Sequence, residues 1–376
     1  MRMIFTLLLL SSASAFAPLV PPSKTTPISR ATRTVLNDRP NISTEKTKTQ
    51  FSLNLLKNGP PQTLFLPFVK WFYKTLWQLM LNELTPHDSE GRFLRDYSTS
   101  SYIPPSLTEL NSESNYLVLL GNPCPWCHRI SIALILQPRS NVKILKLQDN
   151  ASKARKGGWI LPQTSEFPGV PDLKGVYDLL TDDEYQGRST APLLVDYTNM
   201  SIVTNESNDI LKLLNAGSTL NLRPESDINE IEELSSYYFD KLSNGCYRTG
   251  FCTSQIAYGE ACKDVIEGLT NLNERLKDKE FIMGSEITEV DVKLYPWVCR
   301  YDYVYSILFK SPGGKISNYP NILSWAKGVT EIEGMKDTID LRDAVGSYYR
   351  ELFMINPGGI EVECPRDVGE LFDVDC

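Results

Sequence analysis

The sequence predicts an α/β domain followed by an all-helical domain, with a targeting segment ahead of both. An apolar strand runs directly into a Cys-x-x-Cys turn and a helix near residue 120. Further strand candidates follow before residue 205, and the pattern from residue 225 onward is helical. With 376 residues and 41% hydrophobic content, the chain can bury a sizeable core, and its length suggests two domains.

Composition excludes several classes of function. Seven basic and two acidic residues give residues 1–50 a charge of +5, so the remaining chain carries −13. An acidic body argues against a nucleic-acid partner. The two histidines, His87 and His128, are too few for a multi-His metal site, and no metal is expected. Of the eight cysteines, only Cys124 and Cys127 have a spacing that implies chemistry.

Residues 1–50 have the composition of a signal and transit peptide. Arg2 precedes a short apolar run, and small residues up to Ala15 offer a cleavage point, as in a secretory signal too short to span a membrane. The Thr, Ser and Pro content that follows, with six basic residues, is typical of transit peptides. The junction at Phe16 resembles the presequence of algae with complex plastids, which implies import into the plastid stroma. Ordinary secretion is the alternative.

Residues 51–115 are predicted to form an amphipathic extension and a linker. Between residues 64 and 84, aromatic and apolar side chains recur at helical spacing. We expect this helix to pack onto the main body or a second subunit, because Lys70 and Lys74 form no extended basic face; a membrane-surface helix is the alternative. Residues 85–115 are rich in Ser, Pro and Asn and are interpreted as a connecting segment. No transmembrane segment is predicted.

The reactive residue of the sequence is Cys124. The apolar run at residues 116–120 predicts a buried strand, and the residues after Pro125 predict a helix. This order places the sulfur of Cys124 at a helix amino terminus, where free N–H groups and the helix dipole favour the thiolate. Cysteines in such positions have pKa values of about 3.5 to 7.5, against about 8.5 for a free thiol. Cys124 is therefore the predicted nucleophile.

The two residues one turn further along each have two possible roles. Cys127 either attacks a mixed disulfide formed on Cys124 or is a small buried apolar residue, and the sequence leaves both interpretations open. His128 would stand on the helix behind the sulfur, so we expect it to pack or cap rather than to act as a base.

A groove beside Cys124 is predicted from the later strands. Residues 142–147 form a strand candidate that can pair in parallel with the first. Pro192 enters another strand, and resemblance to the thioredoxin-like fold implies a cis peptide that turns the Ala191 backbone outward. An extended peptide lying next to Cys124 could hydrogen-bond that backbone.

Two more features suit the same groove. Glu206 and Ser207 open a helical stretch, where a hydroxyl and free N–H groups could receive a carboxylate. A plain helix cap is the alternative interpretation. Trp159 follows two glycines and is either a core aromatic residue or a wall of the groove.

Residues 223–355 are predicted to be all-helical. Thr288, with Asp291 three residues later, forms an acidic variant of a capping box, which secures a buried helix and has no chemical role. Tyr247 and Tyr305 are among the tyrosines that could line an acceptor pocket, although most buried tyrosines are structural.

A series of short motifs connects these features to a known family. The motifs, in order, are Cys124-Pro-Trp, His128-Arg129, Gly158-Trp159, Tyr185-x-Gly-Arg188, Thr190-x-Pro192, Asn205-Glu-Ser207, Tyr247-Arg-x-Gly-Phe251, Thr288-Glu-x-Asp291, Arg300-x-Asp302-x-Val-Tyr305 and Tyr319-Pro-Asn321. Across residues 116–349 this series resembles the glutathionyl-hydroquinone reductases, the xi-class glutathione transferases. A lone Cys-Pro-Trp-Cys motif would be a weak signal, whereas ten motifs in order are a strong one.

The resemblance implies a thioredoxin-like glutathione-binding domain at residues 116–222, followed by an all-α glutathione-transferase domain at residues 223–355 and an acidic tail at residues 356–376. In that family a cysteine attacks the glutathionyl sulfur of a glutathione-quinol thioether and releases the hydroquinone. A second glutathione resolves the mixed disulfide. Glutathione is therefore the expected co-substrate, small glutathione conjugates or disulfides are the expected partners, and a homodimer is expected.

The resemblance also implies roles for individual residues. Cys124 would be the nucleophile, with Cys127 as the second catalytic candidate. The residues expected to hold glutathione are Trp159, Arg188, Ala191, Pro192, Glu206 and Ser207. Tyr247 and Tyr305 are expected to contact the quinol.

Departures from the family pattern leave the substrate open. The family usually has alanine where this chain has Cys127, which moves the chain toward dithiol chemistry of the glutaredoxin type. Leu308 and Ser311 stand where histidine and cysteine are usual, and Val195 replaces a tryptophan. The alternatives are a lambda-, omega- or iota-like transferase that removes glutathione from proteins or small disulfides, and a non-catalytic binding module on the same fold.

Overall fold

The computed structural model describes residues 62–95, 102–155, 157–163, 165–181, 184–352 and 355–372. The predicted signal and transit peptide at residues 1–50 and the last four residues of the acidic tail lie outside these ranges.

A five-stranded mixed sheet forms the α/β part of the chain. Its strands are β1 (Tyr116–Gly121), β2 (Val142–Asp149), β3 (Trp159–Ile160), β4 (Leu193–Asp196) and β5 (Ser201–Thr204). The spatial order is β3-β2-β1-β4-β5, with β1 and β2 parallel and the other neighbours antiparallel. The parallel pair predicted from the sequence is confirmed, and β4 and β5 form an antiparallel hairpin beside it.

Strand β1 is apolar at every position because both faces of the sheet are covered. Val118 and Leu120 point into one core cluster, whereas Leu117 and Leu119 point into another. Successive side chains of a strand face opposite sides, so a doubly covered strand has no polar alternation. The central strand ends at Gly121, and the turn that carries Cys124 starts there.

The helices of the described chain follow in order. They are α1 (Gln62–Leu84), α2 (Pro125–Leu136), α3 (Leu173–Leu180), α4 (Ser207–Asn215), α5 (Ile228–Tyr238), α6 (Asn244–Phe251), α7 (Gln255–Arg275), α8 (Glu289–Arg300), α9 (Pro320–Thr330), α10 (Leu341–Glu351) and α11 (Val368–Leu371). Two π-helical turns, Phe239–Ser243 and Tyr301–Tyr305, follow α5 and α8. Helix α2 buries Ile130 and helix α4 buries Ile210 in the core that contains Val118 and buried residues of helices α5 to α11. Helix α3 packs in the second core.

The buried start of α8 has the predicted capping box. The side chain of Thr288 and the carboxylate of Asp291 bond each other's backbone, and the carboxylate accepts the Thr288 N–H at 2.9 Å. Its other oxygen accepts from Ile282 N and Trp325 Nε1, both at 2.9 Å. Every oxygen of this buried carboxylate therefore has a partner. Helix α8 in turn packs against α2, which brings its last residue, Arg300, behind Cys124.

Helix α1 confirms the predicted helical stretch, but its aromatic rings face outward. Phe68 is 59% exposed and Trp71 is 62% exposed, whereas Leu81 near the end of the helix is buried in the core. The expected packing of these rings onto the main body is therefore not seen. A contact with a second subunit stays a prediction. Among the helices that the structure describes, none is long and apolar enough to cross a membrane.

Candidate active site

Cys124 lies at the amino terminus of α2, as the sequence predicts. It is the N-cap residue with an extended backbone, and Pro125 occupies the first helical position. The side chain is partly exposed, and its thiol lies 3.7 Å from the carbonyl oxygen of Ala191. The peptide between Ala191 and Pro192 is cis, as resemblance to the thioredoxin-like fold implies. The sulfur therefore faces the strand entry that was expected to receive an extended peptide.

The pKa of the Cys124 thiol is lowered to about 7. Burial opposes ionisation, but a hydrogen bond from the Cys127 thiol and the backbone N–H groups of Cys127 and Trp126 favour the thiolate more strongly. The positive charge of Arg300 acts in the same direction. A large fraction of Cys124 is therefore ionised at neutral pH, which makes it a competent nucleophile.

Cys127 is in the opposite electrostatic state. It is 1% exposed, and burial together with the neighbouring Cys124 raises its pKa well above the ordinary value. Cys127 therefore stays protonated and can donate to the Cys124 thiolate. The two sulfurs therefore differ in role, because Cys124 is partly exposed and Cys127 is buried in the core.

Arg300 holds the turn that precedes Cys124. This fully buried guanidinium donates from Nε to the carbonyl of Pro123 at 3.0 Å and from Nη2 to the carbonyl of Asn122 at 3.1 Å. It also donates from Nη1 to the carbonyl of Pro296 at 2.9 Å. No role for Arg300 was predicted from the sequence, and the only signal was its place in one of the family motifs.

His128 is part of this buried arrangement and is not a base for Cys124. Its Nδ1 lies 3.0 Å from Arg300 Nη1, which can only donate, so Nδ1 accepts and Nε2 carries the proton. Nε2 donates to the Thr338 hydroxyl at 2.8 Å. Burial and the charge of Arg300 lower the pKa of His128 well below its ordinary value. Both ring nitrogens are therefore occupied, and the predicted packing role is confirmed.

A cavity of about 300 Å³ opens beside Cys124. Its walls have a polar section and an aromatic section, and they include five of the six predicted glutathione-binding residues. Those five are Arg188, Ala191, Pro192, Glu206 and Ser207. The aromatic part is Phe93, Trp126, Phe239, Tyr247 and Phe251. A polar section next to an aromatic section suits a charged tripeptide joined to an aromatic ring.

The polar section is organised by the start of α4. Glu206 is the N-cap, and its Oε1 accepts from the Asn208 N–H and the Ser207 hydroxyl, each at 3.2 Å. Arg129 lies beneath and donates to Ser207 Oγ at 3.3 Å and to Asn208 Oδ1 at 3.0 Å. Glu206 therefore caps helix α4, as one of the two interpretations of the sequence predicts. Glu206 and Ser207 also line the cavity.

The segment before the α/β part also lines this cavity, which the sequence did not predict. Thr85, Pro86, Phe93 and Arg95 belong to the region interpreted as a connecting segment. The Arg95 guanidinium lies 4.1 Å from the ring centre of Trp126 and 5.7 Å from that of Tyr247. Such cation–π contacts do not follow from sequence spacing, because the partners are 31 and 152 positions away.

Besides the two cysteines, two predicted site residues lie outside the cavity walls. Trp159 covers Gly121, where a Cβ atom would come within 2.2 Å of the indole ring, so the core interpretation of this residue fits its position. Tyr305 is fully buried, with its ring 6.0 Å from that of Tyr247. Tyr247 lines the cavity and shares a 3.0 Å hydroxyl contact with Tyr348, a residue that the sequence did not single out.

No group of three or more His, Cys, Asp or Glu side chains within the described ranges is arranged to hold a metal ion.

Comparisons with known proteins agree with this geometry. Residues 255–328 match the family model "Glutathione S-transferase, C-terminal domain". A glutathionyl-hydroquinone reductase from Sphingobium chlorophenolicum is 32% identical over 255 residues, which cover 65% of this chain and 81% of that protein. The solved glutathione-bound structure of a glutathione transferase homologue from Escherichia coli K-12 superposes with a TM-score of 0.62 at 29% identity, over 69% of this chain and 87% of that one.

A second solved structure, the xi glutathione transferase from Phanerochaete chrysosporium, gives a TM-score of 0.65 at 26% identity. The match covers 74% of this chain and 94% of that one. The thioredoxin-like sheet, the helical glutathione-transferase domain and the cysteine at the start of α2 all occur together in this chain. The chain belongs to the glutathionyl-hydroquinone reductase family of enzymes, the xi-class glutathione transferases.

Proposed function

We propose that this enzyme removes glutathione from glutathionyl-hydroquinones through a mixed disulfide on Cys124. The Cys124 thiolate attacks the glutathionyl sulfur, and a sulfur–sulfur bond forms as the sulfur–carbon bond breaks. The electron pair of the broken bond stays on the ring carbon, which takes up a proton, so hydroquinone leaves. The thiolate of a second glutathione then attacks the mixed disulfide, which releases glutathione disulfide and restores the Cys124 thiolate.

The observation that carries this proposal is a sulfur of lowered pKa next to a two-part cavity. The pKa of Cys124 is about 7, and the neighbouring Ala191 and Trp126 line the cavity. A conjugate with its peptide in the polar section and its ring among Tyr247 and Phe251 would place the linking sulfur between them. Holding the reacting atoms in this way replaces a bimolecular encounter with an intramolecular step.

Glutathione is the co-substrate in this proposal, and its contacts follow from chemistry. The outward backbone of Ala191 would pair with the extended peptide beside Cys124. The Glu206 carboxylate would face the γ-glutamyl ammonium, and the start of α4 with Ser207 would receive the γ-glutamyl carboxylate. Arg188 would receive the other terminal carboxylate. The roles of Trp159 and Tyr305 would then be to support the walls, since neither side chain lines the cavity.

Turnover of a glutathionyl-menadiol conjugate tests the proposal. We expect Cys124→Ser to lose turnover by several orders of magnitude, because a serine hydroxyl is not ionised near pH 7. Cys262→Ser is the matched control, since Cys262 is also a partly exposed cysteine but lies on α7. Full turnover by Cys124→Ser would contradict the assignment of the nucleophile.

A second candidate function is deglutathionylation of proteins or small disulfides. A protein from Schizosaccharomyces pombe named "Glutathione S-transferase omega-like 2" is 31% identical over 292 residues, which cover 92% of that protein. Cys127, which lies within hydrogen-bonding reach of Cys124, favours this dithiol chemistry. The ratio of kcat/KM for a quinol conjugate to kcat/KM for a glutathionylated disulfide separates the two candidates.

The non-catalytic alternative has little support. The family consists of enzymes, and a binding module has no need for a thiol with a pKa near 7. It would require a Cys124 thiol that alkylates slowly at pH 6, whereas a catalytic thiolate reacts readily.

Import into the plastid stroma is part of the proposal and rests on residues 1–50. A fluorescent reporter fused to these residues in an alga with a complex plastid should accumulate in the stroma. Secretion of the reporter would contradict it. The proposed homodimer can be tested by sedimentation of the chain without residues 1–50.

A further inference from the structure

A second groove, of about 380 Å³, lies next to the active-site cavity. Helix α4, helix α5, the π-helical turn Phe239–Ser243 and helix α8 contribute its walls. Asn208 and Phe239 line both openings, so the two are neighbours that share a wall. Its volume lies within the range of small-molecule sites.

The walls of the groove are basic. Arg129, Lys212 and Lys293 line it, and Glu232 is the carboxylate among its described lining residues. Glu232 is already paired with Arg223 at 2.8 Å. Three cations and one carboxylate leave two positive charges.

The carboxylate behind Lys293 does not remove this excess. Glu289 contacts Lys293 Nζ at 2.5 Å and also pairs with Arg223 at 2.6 Å. Counting Glu289 together with Arg223 adds one charge of each sign, and the charge of Glu206, which acts on Arg129, reduces the surplus from two to one. The hydroxyl of Ser235, 3.4 Å from Lys293 Nζ, adds a donor on the same wall.

Arg129 is a buried cation of the groove with one donor that has no partner. It is 3% exposed, and no carboxylate of the described residues lies within ion-pair distance of it. Its Nη1 bonds Ser207 and Asn208, but its buried Nε has no partner. The charges of Glu206 and Glu289 favour its charged form from beyond ion-pair distance, but a buried donor without an acceptor still costs free energy. Burial lowers the pKa of Arg129 to about 10, so the side chain is still charged at neutral pH.

We propose that this groove is a binding site for a small organic phosphate, distinct from the cavity at Cys124. A phosphate monoester carries close to two negative charges at neutral pH, so the cations of the walls would attract it. Its terminal oxygens would accept from Arg129, Lys212 and Lys293, as charged donors bind phosphate in other proteins. The rings of Tyr238 and Phe239 would contact its organic part. The site lies directly behind Ser207 and Asn208, which line the first cavity.

Titration of the full chain with phenyl phosphate, followed by calorimetry, tests this site. We expect one phenyl phosphate to bind per chain. Inorganic phosphate should displace it, whereas phenol should not. Lys212→Glu should weaken binding by about tenfold or more, because it replaces a charged donor with a repelling carboxylate. Lys277→Glu is the matched control, since Lys277 is exposed on the loop after α7, outside the groove, and should leave binding unchanged.

Lys293→Gln provides a second variant on another wall, with an expected loss of about tenfold. Unchanged thermal unfolding and unchanged alkylation of Cys124 show that each variant is folded. Lys212 is exposed on its helix, so Lys212→Glu should fold. Its binding of phenyl phosphate is the test if Lys293→Gln does not fold. The absence of binding, or binding that Lys212→Glu leaves unchanged, would overturn the proposal.

Discussion

Arg300 Nη1 donates a hydrogen bond of 3.0 Å to His128 Nδ1, and the two buried side chains together support the turn that presents Cys124. One residue ends α8 and the other is in the first turn of α2. The contact therefore ties the helical part to the reactive turn. It also fixes a positive charge behind the sulfur. The imidazole itself stays uncharged at neutral pH, because its pKa is lowered.

The first prediction concerns Arg300. Arg300→Met should raise the pKa of Cys124, because the charge that favours the thiolate is lost. The midpoint of a plot of Cys124 alkylation rate against pH should therefore move upward from about 7. The carbonyls of Asn122 and Pro123 lose their donors, so the free energy of unfolding should fall by about 3 kcal/mol.

Arg342→Met is the control for this change, since Arg342 is exposed on α10. It should leave both the alkylation midpoint and the unfolding free energy nearly unchanged. An alkylation midpoint that stays near 7 in folded Arg300→Met would show that the guanidinium has no electrostatic role at the sulfur.

The second prediction separates the two functions open to Cys127. Cys127→Ala removes the hydrogen bond to the Cys124 sulfur and should raise the pKa of Cys124, whereas Cys127→Ser keeps a donor and should change it less. Both variants remove a resolving thiol. If Cys127 resolves the mixed disulfide, the two variants should lose turnover equally; if it acts as a donor, Cys127→Ser should keep most of it. Measuring alkylation and turnover on the same samples distinguishes these outcomes.

The third prediction gives the pH dependence of the reaction. The attacking species is the thiolate, which is present above the pKa of Cys124 and is lost as pH falls through about 7. The value of kcat/KM for the conjugate should therefore rise with pH, reach half its maximum near pH 7 and level off above pH 8. Because His128 is neutral and bonded at both nitrogens, its imidazole should not add a second ionisation to this profile. A bell-shaped curve with an imidazole-like limb would be inconsistent with this assignment.

The fourth prediction concerns Glu206. Glu206→Gln keeps an oxygen that can cap α4 but removes the charge proposed to face the γ-glutamyl ammonium. We expect KM for glutathione to rise about tenfold, as for the loss of one charged hydrogen bond, with little change in kcat. Asp209→Asn, one turn away at an exposed contact with Tyr102, should have a smaller effect. Equal KM values for the two variants would argue against the role of Glu206.

The fifth prediction uses the close packing of Gly121. A Cβ atom there would lie 2.2 Å from the ring of Trp159, so Gly121→Ala should lower the free energy of unfolding by about 1 to 3 kcal/mol. Gly328→Ala is the matched control, because it lies in α9 with open space at the Cβ position. That change should stabilise the helix by up to about 1 kcal/mol. Thermal unfolding of both variants measures the difference.

Local features of the chain could be predicted from its sequence. The strand, turn and helix around Cys124 follow from apolar runs and from Pro125, and the capping box of α8 follows from Thr288 and Asp291. Each depends on residues close together in the chain, where spacing and physical preference are enough. The family motifs added the order of the domains.

Contacts between distant segments could not be predicted. Arg300 reaches Pro123 and Asn122 from 177 and 178 positions away. Arg95 reaches Tyr247 from a segment interpreted as a linker. The sequence gives no distance between such residues, so burial and charge at the site emerge only in three dimensions. The exposed rings of α1 show the same limit, because helical spacing predicts a helix but not its partner.

Intact-mass analysis tests the central claim most directly. The Cys127→Ser enzyme is mixed with one equivalent of a glutathionyl-hydroquinone, without free glutathione, and quenched with acid. We predict one added glutathionyl group per chain, located on Cys124 by peptide mapping, with release of an equal amount of hydroquinone. Release of hydroquinone with no glutathionyl group on Cys124 would contradict the mechanism.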